Sequence, residues 1–172
     1  MITRKTAQNI ATMRRAGRVV AEMHEAATRA AVPGASTLDL DAACREVLDR
    51  RNARSNFLGY HGYPAVACVS PNEVVVHGIP DDRVLVDGDI VSIDCGAIVD
   101  GWHADAAITI PVGVIDADSQ RLIAVGRCAL DAAIEHVRSG HTLGDIGSAV
   151  SEVAHRAGFS VVREYTDRKS VV

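Results

Sequence analysis

Two strand-like arms joined by Asp100-Gly101 constrain this chain more than any other feature. The first arm is Ile90-Val91-Ser92-Ile93-Asp94-Cys95-Gly96-Ala97-Ile98-Val99. The second is Trp102-His103-Ala104-Asp105-Ala106-Ala107-Ile108-Thr109-Ile110. Both are rich in β-formers, and Asp-Gly between such arms specifies a two-residue hairpin turn. Pairing Val99 with Trp102 sets Asp94 opposite Ala107 and Asp105 opposite Gly96. Opposed residues share a face, as do residues two apart, so the two carboxylates become diagonal neighbours about 7–8 Å apart between Cα atoms. Two bare charges at that distance repel by roughly 2 kcal/mol at an effective dielectric of 20. A shared cation would relieve the repulsion. Carboxylates suit hard or borderline divalent ions, and two ions side by side could activate a bridging water near neutral pH. A β-bulge in either arm would break the shared face and leave one carboxylate as a solvated turn residue.

The rest of the composition narrows the class. A chain of 172 residues is one domain by length, with 48% hydrophobic and 23% charged residues, which excludes both disorder and a membrane-spanning protein. The net charge is -4 and no Lys/Arg block occurs, which argues against a nucleic-acid partner. No apolar run approaches the roughly 18 residues of a spanning helix, and the first residues lack the apolar core of a secretory signal. Cys44, Cys68, Cys95 and Cys128 are scattered without C-x-x-C spacing. They read as reduced thiols in a cytoplasmic protein rather than a disulfide framework or a zinc site.

Helical periodicity predicts a first helix from Thr6 to about Ala31, with Ile10, Met13, Gly17, Val20 and Ala27 facing inward. Pro33-Gly34 breaks it, and Thr37 is the expected cap of a second helix burying Leu40, Ala43, Val47 and Leu48. Strands are expected at 65–70 and 73–77, turned by Pro71-Asn72. A third helix is expected from about Asp118 to Val137. Thr142 with Asp145 then resembles a capping box opening a fourth, and a strand should begin at Phe159-Ser160-Val161-Val162. Gly17-Arg18 recurs as Gly126-Arg127, and Gly34-x-x-Thr37-Leu38 as Gly140-x-Thr142-Leu143, so the chain reads as a duplication. The halves are about 6–113 and about 114–172 within a single domain, 1–172. The second half stops as its sheet begins, which reads as truncation by frameshift, gene fragment or deliberate shortening.

Other candidates carry weaker signals. His77 ends an expected strand, where a histidine is commonly a surface hydrogen-bonding residue. His103 lies on the expected face of Asp105 and is a geometric candidate ligand, or equally an exposed residue. His24, His136 and His155 fall on helices and read as solvated, while His61 and His141 sit in turns. Phe57, Tyr60 and Tyr63 cluster at the Gly-rich loop Gly59-Tyr60-His61-Gly62-Tyr63-Pro64, where they could line an apolar side-chain pocket or simply pack beneath the loop.

Three linked stretches in order resemble type I methionine aminopeptidase. They are Gly59-Tyr60-His61-Gly62-Tyr63-Pro64, then Asn72-Glu73-Val74-Val75-Val76-His77-Gly78-Ile79-Pro80, then Gly88-Asp89-Ile90-Val91-Ser92-Ile93-Asp94 with Asp100-Gly101-Trp102-His103-Ala104-Asp105. The resemblance runs from about Thr6 through Thr166. It implies an α+β pita-bread fold with pseudo-twofold halves, the second incomplete, and metal-dependent removal of the initiator methionine from nascent polypeptides. It implies that Asp94 binds metal through both oxygens and that Asp105 bridges two ions, drawn from cobalt, manganese, iron, zinc or nickel. His77 would contact the substrate at the scissile amide and act in catalysis. Tyr60, Tyr63 and Cys68, with Phe57 beside them, would line the methionine pocket, and His103 would not be a direct ligand. Nascent N-termini are the implied partners, with the ribosome as a second candidate and no nucleic acid or membrane. The resemblance also implies a Gly-His-Gly-Ile-Gly motif after Tyr165, but Asp167-Arg168 stands in place of Gly-His. A later His and two Glu ligands have no counterpart. The expectation is therefore a chain that binds metal weakly and turns over poorly. A non-catalytic module that binds N-termini or the ribosome is the alternative. A prolidase-like hydrolase of the same fold fits the Tyr-containing loop less well.

Overall fold

The computed structural model describes residues 4–163. The chain divides into two compact units, Met1–Ile115 and Asp116–Val172. The first begins with helix α1 (Ala7–Ala30). Thr6 caps it, accepting from the Asn9 N–H while its own N–H donates to the Asn9 side chain. This reciprocal box satisfies two of the free donors at the helix start. The buried stripe is Ala16, Val19, Val20, Met23 and Ala27. It lies about one residue round from the expected face, and Ile10 is 43% exposed. The apolar burial falls on the later turns, from Ala16 to Ala27, and Thr12 is the one buried residue of the first two turns.

Helix α2 (Thr37–Arg51) is capped by Ser36 and not by Thr37. The Thr37 hydroxyl is committed elsewhere, donating to the Asp81 carbonyl (2.9 Å) and accepting from the Asp81 N–H (2.8 Å). A four-stranded antiparallel sheet follows, centred on β3 (Ile90–Val99). Along one edge of β3 runs β4 (Trp102–Pro111); along the other lie β2 (Ala67–Pro71) and then the two-residue β1 (Arg54–Ser55). Asp100 and Gly101 both have positive φ (49° and 78°), the geometry that a tight hairpin turn demands. Helix α1 packs on β3 and β4, and α2 on β2. Met23, Leu40, Cys44, Val47, Val69, Val91, Ile93 and Cys95 form the fully enclosed centre. Each large aliphatic there contributes roughly 1.5–3 kcal/mol through burial. The buried Asp41 carboxylate accepts from the N–H groups of Val66 (2.8 Å) and Ala67 (2.9 Å), which fixes where β2 starts.

The expected strand at 73–77 is absent. Those residues form an irregular loop with Val75 and Val76 exposed. The edge of β3 is already taken by β2, and His77 adopts a φ of +59°, which no strand accommodates. The loop lies instead against β2, with Val69 N–H donating to the Gly78 carbonyl at 3.0 Å. A Cβ at Gly78 would stand 2.2 Å from the Val69 carbonyl oxygen, so only glycine permits this approach.

The second unit holds α3 (Ala117–Glu135), capped by Asp116, and α4 (Leu143–Arg156), capped by the expected Thr142–Asp145 box. An apolar groove of about 400 Å³ between them is lined by Leu122, Ala129, Val150 and Phe159. Residues 159–163 carry no regular structure, so the strand expected at Phe159–Val162 does not form; among the described residues they have no strand to pair with. Asp167 and Arg168 lie outside the described residues. No helix among those described is long and apolar enough to cross a membrane.

Candidate metal centre

The hairpin has the register its residues dictate. Val99 pairs with Trp102, Asp94 with Ala107 and Gly96 with Asp105. On the other edge Cys68 pairs with Asp94. Cys68, Asp94 and Asp105 therefore share one face of the sheet. The opposite face carries Ala67, Val69, Ile93, Cys95 and Ala97, all buried. No bulge interrupts the pairing between the two carboxylates.

Asp94 is half-buried and Asp105 is exposed. The Asp94 carboxyl is pushed up to about 7, first by burial, then by the negative charge of Asp105 and by a side-chain hydrogen bond with it; the Cys95 backbone opposes this in part. Asp94 Oδ1 is buried with no hydrogen-bond partner. A buried, unpartnered carboxylate oxygen facing a second carboxylate suits a cation, so the chemistry of this pair fits a divalent metal. Among the described residues, however, no group of three or more His, Cys, Asp or Glu side chains gathers to hold one. Neither His77 nor His103 completes such a set.

The remaining expected residues separate into those brought together and those not. Phe57 and Tyr63 meet edge to face with ring centroids 6.4 Å apart. The Tyr63 hydroxyl shares its proton between the carbonyls of Gly78 (2.9 Å) and Ala67 (3.1 Å), which ties the aromatic loop to the loop bearing His77. Tyr63 and the buried Cys68 are also in side-chain contact, and burial is the main reason that both hydroxyl and thiol are pushed up. Phe57, Tyr63 and Cys68 thus form a wall beside Asp94. Tyr60 stands apart, 59% exposed, with its ring against His61. His77 and His103 are both exposed.

Two residues escaped the sequence reading. His24 is buried rather than solvated, with Nε2 2.9 Å from the Ala106 carbonyl, so α1 reaches through to the strand that carries Asp105. Burial holds its imidazole below the usual histidine range. Asn56 places its amide nitrogen 3.4 Å from Asp105 Oδ2. No local sequence signal marks Asn56; His24 could have been found from its spacing with Ala16, Val20 and Ala27 on α1.

Residues 11–167 match metallopeptidase family M24. The chain is 42% identical over 165 residues to methionine aminopeptidase 1 of Bacillus subtilis, covering 96% of this chain and 66% of that protein. To the methionine aminopeptidase of Escherichia coli K12 it is 44% identical over 166 residues, covering 95% and 63%. The crystal structure of methionine aminopeptidase from Rickettsia prowazekii superposes with a TM-score of 0.94 at 40% identity, covering 96% of this chain and 67% of that one. Escherichia coli aminopeptidase P, at 22% identity and a TM-score of 0.79, shares the fold. The chain spans about two thirds of the length of the curated relatives it matches. It belongs to metallopeptidase family M24, on the methionine aminopeptidase branch, and has the pita-bread fold of that family.

Proposed function

We propose that this chain carries the Asp94–Asp105 side of a methionine aminopeptidase centre, whose reaction removes the initiator methionine from nascent polypeptides. The observation that carries this reading is the convergence of two carboxylates on one sheet face, one with a buried, unpartnered oxygen. Asp94 and Asp105 would hold the metal, two divalent ions in a complete site, drawn from cobalt, manganese, iron, zinc or nickel. Such an ion, when bound, polarises a scissile carbonyl and lowers the pKa of water. The rest falls to this chain's own side chains. Phe57, Tyr63 and Cys68 exclude water from an apolar wall suited to a methionine side chain, with Tyr60 at the rim. His77, exposed on a loop clamped to β2, would hydrogen-bond the substrate at its scissile amide. Nascent N-termini are the substrates in this reading, met in the cytoplasm, with the ribosome as a further candidate partner.

With two carboxylates and no third ligand among the described residues, weak metal binding and slow turnover are expected. The test is manganese binding by calorimetry, together with methionine release from a Met-Ala-Ser peptide. Manganese binding abolished by Asp105→Ala is the expected result. Binding undiminished in Asp94→Ala/Asp105→Ala would place the ion elsewhere and end the reading. The same shortage of ligands favours a second reading, a non-catalytic module that holds N-termini. Peptide binding insensitive to chelator, with no methionine released, would establish that alternative.

A further inference from the structure

We propose that Asn56 is a positioning residue for the metal centre, holding the Asp105 carboxylate in place from a notch that only a glycine at position 96 leaves open. The inference rests on the metal-centre reading above and adds a residue to it. Strand β1 pairs with the end of β3 through Ile98 and Ala97, and the ladder continues with Asn56 N–H donating to the Gly96 carbonyl at 3.2 Å. Asn56 is thereby set over Gly96, the residue opposite Asp105. A Cβ on Gly96 would stand 2.5 Å from Asn56 Nδ2 and 2.7 Å from its Cβ and Cγ, closer than any side chain tolerates.

From this notch Asn56 Nδ2 donates to the Ala104 carbonyl at 3.2 Å and to Asp105 Oδ2 at 3.4 Å. Both partners can only accept, so the amide nitrogen and not the oxygen must face them. The amide oxygen is then left buried without a partner. Among the described residues the other buried side-chain oxygen in that condition is Asp94 Oδ1. Both oxygens belong to residues that touch Asp105.

The chemistry of this donor matters. An exposed aspartate samples several rotamers, and fixing one on ligand binding costs affinity. A neutral amide removes part of that freedom beforehand. It uses one of the four or so lone-pair sites of the carboxylate and leaves the others for an ion, without adding a positive charge that would compete with the metal. The hydrogen bond to Ala104 anchors the same amide to the strand beside Asp105, so side chain and backbone are held together.

Three samples of the full chain test this: wild type, Asn56→Ala, and Gly96→Ala, which fills the notch and displaces the amide. Manganese affinity is read by calorimetry and the urea midpoint by fluorescence. The expected result is affinity weakened by about tenfold or more in both variants, the usual scale for outer partners of metal ligands, with the Asn56→Ala midpoint little changed. Affinity within twofold of wild type in folded Asn56→Ala overturns the proposal. A second measurement needs no metal: the Asn56 side-chain amide signals in a ¹⁵N–¹H spectrum of the chelated chain, compared between wild type and Asp105→Ala. Signals that move toward free-amide positions in Asp105→Ala support the contact, and signals that stay in place refute it. Should wild type bind no manganese, the metal-centre reading fails, and this spectrum still decides whether Asn56 holds Asp105. Should Asn56→Ala fail to fold, the spectrum decides as well.

Discussion

Asp94→Asn, studied without metal, tests the electrostatics of the centre most directly. In the folded chain the Asp94 carboxyl titrates near 7, against its usual 3.8, because it is partly buried and faces Asp105. The folded state therefore prefers the protonated acid. Below about pH 4 the carboxyl is protonated in both folded and unfolded chains, and no penalty exists. Between about 4 and 7 the unfolded chain ionises first, so the folded state loses stability as pH rises. Above 7 the loss is complete. A displacement from 3.8 to about 7 corresponds to roughly 4 kcal/mol at most. Solvent reaches the half-buried carboxyl and Asp105 is exposed, so screening reduces the figure to about 2 kcal/mol. Asparagine mimics the protonated acid in shape and can still donate to Asp105. Urea unfolding in excess chelator should show variant and wild type nearly equal at pH 4, with the variant about 2 kcal/mol more stable at pH 8. A stability difference that is the same at both pH values would refute the argument, as would one that shrinks on going to pH 8.

Two further outcomes follow from neighbouring residues. Gly78→Ala should lower stability by about 2 kcal/mol or more, because the added Cβ would meet the Val69 carbonyl at 2.2 Å and push the His77 loop off β2; urea unfolding measures it, and a loss under 0.5 kcal/mol would mean the loop yields freely. His24 carries the opposite pH signature to Asp94: its folded pKa is depressed by burial, so the stability it contributes is present above the unfolded value of 6.5 and is lost as pH falls through the lower folded value. His24→Gln, which can keep a donor near the Ala106 carbonyl, should flatten the acid limb of the stability profile below pH 6.5.

What could be read in the sequence was local. The hairpin register follows from alternation and one Asp-Gly turn within a single stretch, so Asp94 and Asp105 could be placed on one face from the residues alone. The Thr142–Asp145 box is likewise local and forms. The failures lie where a distant segment decides. Val74, Val75 and Val76 have strong strand propensity, yet the edge they would need belongs to β2. Thr37 looks like a cap, but its hydroxyl is claimed by Asp81. His24 is the exception, a local miss: Glu22 and Glu25 suggest a wet face, but its spacing with Ala16, Val20 and Ala27 puts it on the buried stripe. Asn56 acquires its place only because β1 lies along the end of β3, a pairing that no local pattern in Arg54-Ser55 announces.

The same physics links the stability of this chain to its chemistry. The burial that chiefly raises Asp94, together with the repulsion from Asp105, weakens the metal-free fold at neutral pH, and a divalent ion between the two carboxylates offsets both. Metal must therefore stabilise the folded chain by more than its coordination bonds alone would give, and the gain must grow as pH rises toward 7. Asn56, over Gly96 and in contact with Asp105 Oδ2, sustains that repulsion in the absence of metal. Removing Asn56 costs its hydrogen bonds but lets the carboxylates separate, so the metal-free chain loses little while the site weakens. Affinity for metal should thus fall when Asn56 is removed while metal-free stability stays nearly level. Ordinary packing residues cannot show that pattern, because their loss lowers both together.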